Sequence, residues 1–192
     1  MTSTDLAGST ALVTGGTSGI GRAAAVLLAR RGAHVLVSGR DAARGDEAVS
    51  AIRAAGGKSD FIPADLASGT SVRELARRAI ELGGGHVDIL VNSVPGMALY
   101  GSSKAALTLL TKAWAAEFGP NGVRVNAVSP GPTRTLGTEP MGDQLDQLAS
   151  LAPAGRPAAP EEIATAISYL AGDEASFVHG AILDVDGGRH AA

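Results

Sequence analysis

The chain has 192 residues, a formal net charge of −3 at pH 7, 45% hydrophobic residues and no cysteine. That length fits one domain with a substantial buried core, the lack of thiols excludes disulfides and thiolate metal sites, and mild acidity without Lys/Arg clusters argues against electrostatic nucleic-acid binding. No apolar run approaches the ~20 residues of a membrane span, and Met1–Ala7 lacks the basic start and apolar centre of a secretory leader, so the expectation is a cytoplasmic, globular, single domain over residues 1–192 with a small-molecule ligand and neither a nucleic-acid nor a membrane partner.

Short apolar runs alternate with Ala-rich amphipathic stretches, the pattern of a parallel sheet covered by helices. Thr10–Thr14 reads as a buried strand and Ile20–Arg31 as a helix. His34–Ser38 is a second strand, followed by a helix near Ala42–Ala55. Ser59–Pro63 is a third strand ending at Asp65, and Ser71–Leu82 is a helix stopped by Gly83-Gly84-Gly85. Val87–Val91 is a fourth strand, Gly101–Phe118 a long helix and Gly122–Val128 another strand. Pro160–Ala171 starts with Pro and carries Glu161 and Glu162 in its first turn, as the helix dipole favours. Ala181–Val185 is a last strand, closed by Gly187-Gly188.

The stretch Thr14-Gly-Gly-Thr-Ser-Gly-Ile-Gly21 lies between the first strand and the first helix. Glycines there let the backbone turn tightly and approach a bulky anion, while the helix start offers unpaired N–H groups and a positive dipole end to phosphate. A GK[ST] ending, which a glycine-rich ATP loop requires, is absent: Ile20-Gly21-Arg22 stands in its place. Tyr100 and Lys104 lie four apart, hence on one helical face. A tyrosine hydroxyl titrates near ~10; an ammonium about 4 Å away is worth up to ~4 kcal/mol at an effective dielectric of 20, roughly three pK units. Such a pair can make Tyr100 a general acid for carbonyl reduction or a base for alcohol oxidation.

With these pieces in order, the chain resembles the short-chain dehydrogenase/reductase family. Thr14–Gly21 matches its TGxxxGxG turn, Asp65-Leu66 its acidic residue after the third strand, and Asn92 the first residue of its NNAG segment. Tyr100-Gly-Ser-Ser-Lys104 matches its YxxxK helix, and Asn126–Gly131 with Thr135 the strand and loop at the nicotinamide end. The resemblance implies a doubly wound α/β parallel sheet of Rossmann type, hydride exchange with a nicotinamide cofactor, and a small carbonyl or alcohol substrate. It assigns Gly15, Ser18, Gly19, Ile20 and Gly21 to the pyrophosphate and nearby ribose, and Asp65 and Leu66 to the adenine. Asn92 would line the cofactor channel and Lys104 would also bond the nicotinamide ribose. Gly131 and the Thr133 backbone would face the carboxamide, and the Thr135 hydroxyl would reach a phosphate. It further implies a lid over Thr138–Leu151, with Pro140, Met141 and Leu145 toward an apolar pocket, and a homo-oligomer, dimer or tetramer, built through long helices.

Cofactor choice turns on the end of the second strand. Ser38-Gly39-Arg40 offers no acid for a ribose 2′-hydroxyl and an arginine able to fork onto a 2′-phosphate. NADP(H) is therefore expected over NAD(H), the competing role for Arg40 being a surface pair with Asp41 or Asp46. His34, His86, His179 and His190 show no ligand spacing, so no metal site is expected. Trp114 is expected to pack the long helix against the sheet or a partner subunit.

The chain departs from the family pattern after Asn92. Only Ser93–Leu99 separates Asn92 from Tyr100, where the family places several dozen residues carrying a strand, a helix, a catalytic serine and an asparagine. The family's serine position falls near Asp88, inside the fourth strand, and Ser93 has the wrong spacing to replace it. Two readings stand: a segment of a longer parent is omitted, or a deletion has left a smaller sheet in which the next strand moves into the central place. An intact mass well above 19.1 kDa rejects the deletion.

Overall fold

A computed structural model describes residues 5–93 and 100–191, with the side chains of Tyr100, Gly101, Ser102, Ser103 and Ala105 outside the described set. The chain divides into two compact units, Met1–Val94 and Pro95–Ala192.

The first unit is a four-stranded parallel sheet in the order β3-β2-β1-β4, from β1 (Thr10–Thr14), β2 (His34–Gly39), β3 (Lys58–Pro63) and β4 (Ile89–Asn92). Helices α1 (Gly19–Arg30), α2 (Ala42–Ala54) and α3 (Gly69–Leu82) connect the strands. Every residue of β1 is buried, because parallel strands covered on both faces read as unbroken apolar runs. Leu12, Leu36 and Ile62 form one face, packed with Leu75 and Ala79 of α3. The opposite face carries Val13, Val37 and Phe61, which are in register. A side chain added at Gly45 of α2 would collide with the Phe61 ring, so α2 lies tightly on that face. The doubly wound reading is therefore realised here: helices cover both faces of one parallel sheet.

The boundaries follow local chemistry. Asp41 caps α2 by accepting the Arg44 N–H, and Ser68 caps α3 by accepting the Ser71 N–H. The helix expected from Ser71 begins at Gly69 for that reason. Asp5 and Arg31 form an ion pair that fastens the N-terminal segment to the end of α1.

The second unit contains α4 (Tyr100–Phe118), β5 (Ala127–Pro130), α5 (Asp143–Ser150), α6 (Pro160–Ala171) and β6 (Ile182–Val185), joined through short 3-10 turns. β5 pairs in parallel with β6, in a two-stranded ladder of its own. The expected strand over Gly122–Val128 is thus shifted to Ala127–Pro130, and it does not extend the first sheet. Side chains account for the shift. Arg124 sends its guanidinium to the carbonyls of Leu170, Ala171, Gly172 and Ala175, closing the carboxyl end of α6. Asn126 donates to the Val178 carbonyl and accepts the Ala181 N–H, taking up groups that a longer ladder would use. In the segment expected to act as a lid, Leu145 and Ala149 are buried, so helix packing accounts for Leu145. Trp114 remains 36% exposed on α4.

At the start of α6, Glu162 accepts the Ala159 N–H at 2.8 Å and pairs with Arg156 at 2.8 Å. The Arg156 hydrogen bond, and then the Ala159 N–H, pull the Glu162 carboxyl down from 4.5 to about 2. A depressed carboxylate adds stability above its unfolded value and loses it as pH falls toward the folded one. Thermal melts from pH 6 to pH 2.5 are expected to show Glu162→Gln less stable at pH 6, with the two proteins converging between pH 4.5 and about 2. In the first unit, Leu36→Ala removes a fully buried side chain and should lower the unfolding free energy by about 2–5 kcal/mol in urea titrations.

Candidate functional site

The carboxyl ends of β1 to β4 gather the first set of candidate residues. Strand order turns here: β2 and β3 lie to one side of β1 and β4 to the other. Such a reversal leaves a crevice beyond the strand ends, where open α/β sheets bind ligands. Thr14 and Asn92 are paired across it. The Thr14 hydroxyl donates to the Val91 carbonyl at 3.3 Å and lies 3.4 Å from Asn92 Oδ1, while the Ser93 N–H reaches Thr14. Asn92 is thus a strand-end hydrogen bonder with an exposed side chain.

The turn after β1 packs backbone on backbone at two of its glycines. Gly15 has φ +64°, a left-handed conformation, and a Cβ there would fall on the Ser93 carbonyl oxygen. Gly21 lies in the first turn of α1, where a Cβ would strike the Gly15 carbonyl. Gly19 also has positive φ, at 53°. Ser18 stands before α1 in an extended conformation, with no side-chain cap on the helix and no acidic residue in its first turn. Gly15, Ser18, Gly19, Ile20 and Gly21 are therefore brought together in a glycine-rich loop running into a helix start that no side chain caps. This cradle fits a diphosphate, since its donors are peptide N–H groups with the helix dipole behind them.

Around that loop, Arg40 is exposed at the end of β2 and makes no ion pair with any described residue. Neither of its two expected partners pairs with it: Asp41 is taken by Arg44, Nε to Oδ2 at 2.8 Å, and Asp46 makes no ion pair with Arg40 among the described residues. Thr17, absent from the family-derived set of site residues, is buried and packs against Gly39, fixing the turn over the end of β2. Its signal was present, as a Thr inside a glycine turn beside a strand ending in Gly. Asp65 and Leu66 follow β3, both exposed. Asp65 Oδ1 accepts the Ala67 N–H at 3.1 Å, so this carboxylate shapes the turn ahead of the Ser68 cap.

The remaining candidates lie in the second unit. Tyr100 opens α4, its side chain outside the described residues, and Lys104 is one turn on, half-buried. Gly131 follows β5, and a Cβ there would come within 2.7 Å of the Asp186 backbone. Its carbonyl accepts the Thr133 hydroxyl at 2.9 Å. Thr135 is partly buried, and its N–H donates to the Thr138 hydroxyl at 2.8 Å. Thr138 in turn donates to the Thr133 carbonyl at 2.8 Å. Thr138 thus braces the loop that holds Gly131, Thr133 and Thr135. The sequence placed it only at the edge of a lid, because nothing in a Thr-rich loop tells which hydroxyl turns inward. Among the described residues no group of three or more His, Asp or Glu could hold a metal, and no helix is long and apolar enough to cross a membrane.

The family model described as short chain dehydrogenase matches residues 9–94, and that described as Enoyl-(Acyl carrier protein) reductase matches residues 93–190. The chain belongs to the short-chain dehydrogenase/reductase family. It is 34% identical to the cyclopentanol dehydrogenase of Comamonas testosteroni over 92% of this chain and 95% of that protein. It is also 34% identical to the cis-4-hydroxycyclohexanecarboxylate dehydrogenase of Sinomonas cyclohexanicum, over 93% of this chain and 95% of the relative. A short-chain dehydrogenase/reductase from Serratia marcescens superposes with a TM-score of 0.90 at 32% identity, covering 96% of this chain and 99% of that one. By this membership the chain is a short-chain oxidoreductase, of a family that uses NAD(P)(H). The Comamonas alignment spans 237 positions against the 192 residues here, so at least 45 positions, the difference, have no counterpart in this chain. The two family models meet at residues 93–94, where the sequence departs from the pattern.

Gly15→Ala places a side chain where φ is positive and the Ser93 carbonyl stands. Calorimetry is expected to show a melting temperature lower by several degrees, corresponding to about 1–3 kcal/mol, together with loss of dinucleotide binding in a titration of the folded variant below its melting temperature.

Proposed function

We propose that this chain binds NADP(H) and interconverts a ketone and a secondary alcohol, with Tyr100 as general acid or base. The observation that carries the reading is the glycine-rich loop from Gly15 to Gly21, where backbone packs on backbone at Gly15 and Gly21, running into an α1 without a side-chain cap at the point where strand order reverses. Peptide N–H groups of that loop would hold the diphosphate, Asp65 and Leu66 the adenine, and Arg40 a 2′-phosphate. Arg40 is suited to this by its exposure and its lack of an ion pair with any described residue. Asn92 would line the channel, and Gly131, Thr133 and Thr135 would orient the nicotinamide end. When bound, the cofactor supplies or accepts the hydride. The chain's own tasks are orientation and proton exchange at the Tyr100 hydroxyl, with the Lys104 ammonium favouring the phenolate and holding the ribose. The substrate class is supported by two relatives named for cyclic alcohols, cyclopentanol and cis-4-hydroxycyclohexanecarboxylate. The two units would act as one catalytic domain, in a cytoplasmic homo-oligomer.

A second reading has its own observation. The positions missing after residue 93 correspond to the stretch in which the family pattern places its serine, so the chain would bind dinucleotide without turning it over. Losing one donor to the substrate carbonyl costs roughly 10²–10³ in rate.

Fluorescence titration with NADPH, followed by a panel of cyclic ketones starting with cyclopentanone, separates the two. The enzyme reading predicts NADPH consumption, tighter binding of NADPH than NADH, and a Tyr100→Phe variant slowed by about 10²–10⁴ with cofactor affinity unchanged. Binding without consumption establishes the module reading, and absence of NADPH binding overturns both.

A further inference from the structure

We propose that the Asp41–Arg44 pair at the start of α2 is a specificity-determining element for the cofactor, in which Arg44 holds the Asp41 carboxylate away from a 2′-phosphate bound at Arg40. The inference rests on the NADP(H) reading and adds residues that the glycine turn and Arg40 do not include. Arg40 and Asp41 are consecutive, with Cα atoms about 3.8 Å apart. A free Asp41 carboxylate, on the adjacent residue, would be able to turn toward an anion gripped by Arg40, to a distance comparable with the screening length of about 8 Å. Such a carboxylate suits a ribose 2′-hydroxyl and repels a 2′-phosphate. Left alone, the sequence Gly39-Arg40-Asp41 is therefore ambiguous between the two cofactors.

In the structure both Asp41 oxygens are engaged, which favours the phosphate. Oδ1 accepts the Arg44 N–H at 3.1 Å, and Oδ2 accepts Arg44 Nε at 2.8 Å. The backbone bond to Arg44, followed by its side chain, holds the Asp41 carboxyl below its usual range, so it stays ionised and committed to this pair. On the next turn of α2, Glu47 is paired with Arg22 of α1 at 3.2 Å. The acidic groups Asp41 and Glu47 are matched by arginines, Asp46 between them shows no ion pair among the described residues, and Arg40 likewise makes none there. One cap does two jobs: it starts α2 and silences the carboxylate next to the proposed phosphate ligand.

The test compares dissociation constants for NADPH and NADH, by nucleotide fluorescence, in the full chain and in R40Q, R44Q, D41N and D41N/R44Q. Asn caps a helix about as well as Asp, and Gln is a good helix former, so both substitutions keep α2. R44Q is expected to weaken NADPH about threefold to fivefold, the range of an exposed charge pair, while NADH changes less than twofold. D41N/R44Q should restore NADPH affinity, because the carboxylate that Arg44 restrains is gone. Equal changes for both nucleotides in R44Q, or no recovery in the double variant, overturn this inference while a selective NADPH loss in R40Q keeps the NADP(H) reading. An R40Q protein that binds NADPH as tightly as before overturns both.

Discussion

The first unit depends on the contact between the turn after β1 and the end of β4. The Ser93 carbonyl rests where a Gly15 side chain would be, and the Gly15 carbonyl rests where a Gly21 side chain would be. Three backbone segments meet with no side chain between them. Two consequences follow from that stack. The chain must leave β1 in a left-handed turn, and α1 must begin close against that turn, with its first N–H groups uncapped by any side chain. A site made of peptide groups and a helix dipole is rigid and unselective in charge distribution, which suits a diphosphate common to many cofactors.

In the proposed reading selectivity would reside in side chains on the rim, and the helix caps bear on which of these are available. α2 and α3 are capped by Asp41 and Ser68, whereas α1 has no side-chain cap. Asp65 is turned toward the Ala67 N–H, and Arg40 is left exposed. In the second unit the same economy of polar groups appears. Arg124 closes α6, Asn126 links two loops and Thr138 braces the Gly131–Thr135 segment. These residues do no chemistry in the proposed reaction, but they satisfy buried carbonyls that would otherwise cost about 1–3 kcal/mol each.

The missing positions mark β4 as well. β1 is buried throughout, whereas β4 alternates half-buried and exposed residues, with Leu90 58% exposed. Among the described residues it pairs with β1, at the edge of its sheet, and β5 pairs with β6. A relative of nearly full coverage aligns with this chain over 237 positions. What is absent is therefore internal to the match, and the two flanking halves each keep their own parallel ladder.

The sequence by itself determined the periodic elements and the first cofactor-type turn. Strands such as Thr10–Thr14 and helices such as Pro160–Ala171 follow from apolar runs, caps and glycine stops, which are local properties of a few consecutive residues. The family was legible for the same reason, since its motifs are short and ordered along the chain. Tertiary structure alone decided that β5 starts at Ala127, because the roles of Arg124 and Asn126 depend on α6 and the Val178–Ala181 loop, each some 45 to 55 residues away. It also decided that Asp41 pairs with Arg44 and leaves Arg40 exposed, a choice between neighbouring cations that turns on where α2 begins. Likewise Thr138 could be recognised as a brace only once the loop had folded back on itself. Local patterns fix which element forms. Long-range packing fixes which polar group each element satisfies.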